Sequence, residues 1–178
     1  MFRVAAPTVA IIAGALLVGC ESRSAGTEES NQYCHTIPNH AITCPSCAQV
    51  SDVGAAFDGK LATAAQIGAG GQGTFLGTSR TQPAGSVAGV YFTLTNPAGV
   101  SITLRTLLDG QEQETGTAPA TRQGTTSSVC PGGNMECSFN DGGGSWVGMN
   151  TTQPYDAIEA AISNSSALTL QVNELCVR

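Results

Sequence analysis

Residues 86–96 read Ser86-Val87-Ala88-Gly89-Val90-Tyr91-Phe92-Thr93-Leu94-Thr95-Asn96. Val90, Phe92 and Leu94 fall on one face of an extended chain, because successive side chains of a strand point to opposite sides. The stretch therefore predicts a strand with one buried face. Asn96-Pro97-Ala98-Gly99 closes it with a turn, since Pro fixes φ and Gly accepts positive φ. A second alternating run follows at 100–108, with Val100, Ile102, Leu104 and Thr106 facing inward. Asp109-Gly110 is a hairpin signal, and Gln111 to Thr115 returns from it as a polar strand.

The same pattern extends both ways. Residues 62–68, 72–79, 145–151, 155–163 and 167–177 read as strands separated by Gly, Pro, Asn and Ser. Tyr155 to Ser163 has helical propensity, but Pro154 and Asn164-Ser165-Ser166 leave little room for a helix. In 167–177, Leu168, Leu170 and Val172 share a face, which shifts near Leu175 and Cys176. Residues 116–128 read as an exposed loop. No long amphipathic helix is present in the pattern. Many short strands with frequent turns predict an all-β, antiparallel β-sandwich or jelly roll over 33–178.

The N-terminus has a different character. Arg3 gives a basic start, residues 9–18 (VAIIAGALLV) are apolar, and a small residue precedes Cys20. That is the layout of a secretory signal. The apolar run is too short to span a bilayer, which takes about 20 residues. Leu17-Val18-Gly19-Cys20 resembles the bacterial lipobox. The resemblance implies a signal peptide over 1–19 and Cys20 as a lipid-modified mature N-terminus, with more than one acyl chain for stable anchoring. Glu21 stands where Asp often marks inner-membrane retention, so the outer membrane is the expected address, facing periplasm or exterior. Residues 20–32 are small, polar and acidic, and read as a tether reaching about 20 Å on average.

The chain has seven cysteines. With Cys20 lipidated, Cys34, Cys44, Cys47, Cys130, Cys137 and Cys176 remain. An oxidising compartment makes three disulfides the expectation. The sequence leaves the pairing open. Cys130 and Cys137 bracket a turn and suit a local bridge; Cys47–Cys176 with Cys34–Cys44 is the preferred remainder. Residues 33–49 read as irregular and hold both histidines, His35 and His40. A zinc cluster there, or a redox pair at Cys44-Pro45-Ser46-Cys47, is the competing reading. The oxidising address and the absence of a helix after Cys47 weigh against both.

The formal net charge of −6, with no basic stripe, argues against nucleic acid as a partner. No set of residues reads as a catalytic constellation. Gly68 to Gly73 lacks the following helix of a phosphate loop, and Asp109, Glu112 and Glu114 sit together on one polar hairpin. The expected class is not an enzyme.

Ala56-Phe57-Asp58-Gly59-Lys60-Leu61-Ala62-Thr63 resembles the opening loop of galactose-binding-like jelly rolls, the group of discoidin-type and many carbohydrate-binding modules. Pro83 to Phe92, Ile102 to Glu114, Pro154 to Ile158 and Gln171 to Val177 are similar, in order, to later strands of that fold. The resemblance implies a galactose-binding-like jelly roll and a structural calcium ion held by Asp58, Thr63 and Glu174, with loop carbonyls near Val53 and Lys60. Lys60 departs from the family's usual Asp or Asn. The resemblance also implies glycan binding through an exposed aromatic. Ala64 stands where relatives often place Trp, which leaves Trp146 and Tyr33 as the candidates, beside the loops at 68–73, 79–86, 116–128 and 131–144. The function expected is a lipid-anchored envelope module that recognises a surface glycan or protein. The alternative is a structural envelope component with no small-molecule ligand.

Overall fold

The computed structural model describes residues 35–37, 42–93, 99–120, 133–138 and 144–178. The signal segment, Cys20, the tether, Tyr33, Cys34, His40, Leu94 and Cys130 lie outside the described residues, and so do the expectations placed on them.

The described chain is all-β apart from one 3-10 turn, Val53–Phe57. In order the strands are β1 (His35–Thr36), β2 (Ile42–Ser46), β3 (Val50–Ser51), β4 (Ala65–Ile67), β5 (Gln72–Gln82), β6 (Val87–Thr93), β7 (Val100–Leu108), β8 (Gln111–Ala120), β9 (Met135–Ser138), β10 (Gly144–Asn150), β11 (Tyr155–Asn164) and β12 (Leu170–Val177). They form two antiparallel sheets, an arrangement compatible with a β-sandwich. One sheet runs β3-β4-β12-β6-β10-β9, with β1 also paired to β12. The other runs β2-β5-β11-β7-β8. From β4 the chain passes to the opposite sheet at β5, at β6 and at β7, stays there for β8, crosses again at β9, stays for β10, and crosses at β11 and β12.

The core gathers the apolar faces of both sheets. Val90 and Phe92 of β6, Ile102 and Leu104 of β7, Ala160 and Ile162 of β11, and Val172 and Leu175 of β12 are all buried in one cluster. The alternation read at 86–96 and 100–108 is the pattern the core uses. In β11 the strand pattern prevailed over helical propensity, because Ala160 pairs with both Phe75 and Leu104 and is sealed between them. The face shift in β12 is a bulge between Val172 and Glu174. The extra residue lets both Val172 and Leu175 reach the core while Cys176 lies in a separate cluster with Val87 and Trp146. Asp109 and Gly110 both have positive φ, 51° and 76°, the geometry of a two-residue hairpin turn whose twist matches its strands.

Two expectations are corrected. Residues 33–49 are not wholly irregular: β1 and β2 lie there, with Ile37 fully buried in the core. Strands this short carry no readable alternation, and sheet-edge hydrogen bonds order them instead. Residues 116–128 are not all loop: β8 continues through Ala120, with Thr117 opposite Thr103 and Ala118 buried.

The register defines two poles. At one, Pro83-Ala84-Gly85-Ser86 links β5 to β6, and the Gly85 N–H donates to the Thr151 carbonyl at 2.8 Å. Val87 and Arg178 exchange backbone hydrogen bonds beside it. β1 joins the sheet there, His35 lying opposite Val177. At the other pole the Gly70 N–H donates to the Ser166 carbonyl, and the Ser165 N–H to that of Gly99. Loops 68–73 and 83–86 are thus at opposite ends.

Candidate cation site and the fate of the predicted binding residues

The 3-10 turn ends at Asp58, and the chain then folds back on itself. Gly59 has φ of 76°, which permits an Asx-type turn in which the Lys60 N–H donates to Asp58 Oδ1 at 2.9 Å. The Thr63 hydroxyl donates to the Asp58 carboxylate, 2.9 Å from Oδ1 and 2.8 Å from Oδ2. Its oxygen also lies 3.0 Å from the Lys60 carbonyl. Asp58 and Thr63 therefore form one closed loop.

Glu174 arrives from β12. Its Oε2 accepts the Gly59 N–H at 3.1 Å. The neighbouring Asn173 secures the same loop from behind: its Nδ2 donates to the carbonyls of Leu61 and Thr63, and its Oδ1 accepts from the Thr93 hydroxyl. The bulge at this point of β12 allows two consecutive polar side chains to serve the loop. The structure thus brings together all three residues expected at the site, from two ends of the chain.

Glu174 is 1% exposed, and its Oε1 has no hydrogen-bond partner. An orphaned buried carboxylate oxygen is costly. Burial pushes its carboxyl up to about 9; the Gly59 N–H opposes that shift, and the Asp58 charge adds to it. A hard divalent cation would remove the cause, since calcium takes carboxylate, hydroxyl and carbonyl oxygens. Asp58, Glu174, the Thr63 hydroxyl and the Lys60 carbonyl supply that donor chemistry. Among the described residues no three His, Cys, Asp or Glu side chains gather at one point, so such a site would lean on neutral oxygens. Lys60 is exposed and contributes its backbone N–H to Asp58.

Trp146 is 2% exposed, which corrects its expected role as a sugar platform. A Cβ on Gly89 or on Gly148 would run into its ring, so the ring lies over two glycines on the sheet's surface. The ring nitrogen donates to Glu136 Oε1 at 2.8 Å. Glu136 in turn pairs with Arg178 at 2.7 Å. The signal missed in the sequence was the pair of glycines, Gly89 and Gly148, that lie opposite each other in the ladder.

Glu112 and Glu114 of the β7–β8 hairpin have structural partners. Arg105 bridges Glu159 and Glu112, and Glu114 accepts from the Thr152 N–H and hydroxyl.

No protein-family model matches the chain. No curated protein matches it either.

Proposed function

We propose that the chain is a lipid-anchored binding module of the bacterial cell envelope, built on a galactose-binding-like jelly roll. The observation that carries the reading is the strand order. Setting aside β1, β2, β3 and β9, the two sheets run β4-β12-β6-β10 and β5-β11-β7-β8. That order supports a jelly roll wound from two Greek keys. The address comes from Leu17-Val18-Gly19-Cys20 and the polar tether behind it. A structural calcium at Asp58, Thr63 and Glu174 belongs to the same reading, supported by the unpartnered Glu174 oxygen. So does a disulfide framework, supported by the bonded state of Cys47, Cys137 and Cys176. The ligand is a surface glycan or an envelope protein, and the chain is not an enzyme.

Two measurements test this. Cys20→Ser should move the protein from the membrane to the soluble fraction, and retention on the membrane would sink the anchor. The full chain in detergent, applied to a glycan array and crosslinked in parallel in cells, should yield a specific glycan or protein partner. A protein recovered only within a large fixed envelope assembly, with no glycan bound, would favour the structural component instead.

A further inference from the structure

The outer face of the five-stranded sheet changes character along its length. Near the pole of the 83–86 link it carries the Arg105, Glu112 and Glu159 ion pairs. Toward the opposite pole the charges stop. Ala161 lies between Thr74 on β5 and Thr103 on β7, and Ser163 lies opposite Gln72 and Ser101. Thr103 continues the first row to Thr117 on β8, with 2.9 Å between the two hydroxyl oxygens. These side chains alternate with buried Phe75, Ile102 and Ile162, so they point away from the core. The small residues of β11 sit between longer neighbours and leave a depression of about 250 Å³.

Resting on the binding-module reading above, we propose that this hydroxyl-lined depression binds an uncharged glycan strand laid across β5, β11 and β7. Three observations favour that occupant. None of Gln72, Thr74, Ser101, Thr103, Ala161 and Ser163 is titratable, so nothing here selects for an ionic ligand, and the ion pairs close off one side. Among the described residues, the side chains of Gln72, Thr74, Ser101 and Ser163 have no hydrogen-bond partner. They offer mixed donors and acceptors, the complement of sugar hydroxyls. The volume is below the roughly 300–1,000 Å³ of pockets that engulf a small ligand, which suits a chain touched along one side. A peptide would seek apolar pockets or a free strand edge, and this mid-sheet surface offers neither.

The experiment is saturation-transfer NMR on the full chain in detergent with maltohexaose, cellohexaose and laminarihexaose. At least one sugar should bind. Ala161→Arg, which fills the depression, should weaken that binding at least tenfold with an unchanged melting temperature. If Ala161→Arg lowers the melting temperature, Thr103→Val and Ser163→Gln replace it, with the same expected loss. A sugar that binds equally well to all these variants overturns the inference but leaves the module reading standing. No sugar binding, with an envelope protein crosslinked instead, also overturns it and leaves that reading on a protein ligand. Neither sugar nor protein overturns both.

Discussion

Gly59 and Glu174 are joined by a hydrogen bond of 3.1 Å across a sequence separation of 115 residues. It ties the turn after the 3-10 segment Val53–Phe57 to the last strand of the sheet. It also holds a carboxylate with one oxygen satisfied and the other orphaned in the interior. The loop is therefore closed but electrostatically incomplete, and several measurable properties follow from that state.

Glu174 makes stability depend on pH. Its folded carboxyl titrates near 9 rather than at the ordinary 4.5. Between those values the folded state holds a proton that the unfolded chain has released. Without calcium, stability should therefore fall as pH rises through this window, by up to about 1.4 kcal/mol per unit. Glu174→Gln should flatten the slope. Chemical denaturation in chelator at several pH values between 5 and 9 checks both.

Calcium should reverse that trend, because it favours the ionised carboxylate. Millimolar calcium at pH 8 should raise the melting temperature of the native protein, with no such rise in Glu174→Gln or Asp58→Asn. A melting temperature indifferent to calcium in all three would remove the cation from Asp58, Thr63 and Glu174.

Gly89→Ala should destabilise the outer face of the larger sheet. The added methyl meets the Trp146 ring, and overpacking of this kind costs about 1–3 kcal/mol. Trp146 is the single tryptophan, so its fluorescence should shift red as the ring is lifted into water. A variant that melts and emits like the native protein would contradict the packing.

Asn164→Ala should loosen the pole where Gly70 meets Ser166. Its buried Nδ2 donates to the carbonyls of Ile67, Gly68 and Leu168, and its Oδ1 accepts from Ser166. Leaving such groups unpaired costs about 1–3 kcal/mol each. Hydrogen exchange should quicken at residues 68–71 and 165–168 and stay unchanged at 83–86.

Much of the fold was legible in the sequence because strand formation reads local alternation. Val90 and Phe92, then Ile102 and Leu104, declared a buried face before any partner was known. The Asp109-Gly110 turn was legible because two positive φ values at a hairpin demand such residues. The shift in β12 near Leu175 was visible as a break in period and proved to be a bulge. β1 and β2 were not legible: strands of two and five residues owe their form to the edges they meet, and Ile37 alone gives no period.

The sequence by itself determined that the chain is built of alternating strands and where they turn. These are properties of neighbours along the chain. Only the tertiary structure decided that Trp146 is covered, because its ring rests on Gly89 of another strand. Only it decided that Glu174 is buried against the Asp58–Thr63 loop and that the hydroxyls of β5, β11 and β7 share one surface. Burial and convergence depend on which distant segments the sheets bring into register, and no local pattern carries that information.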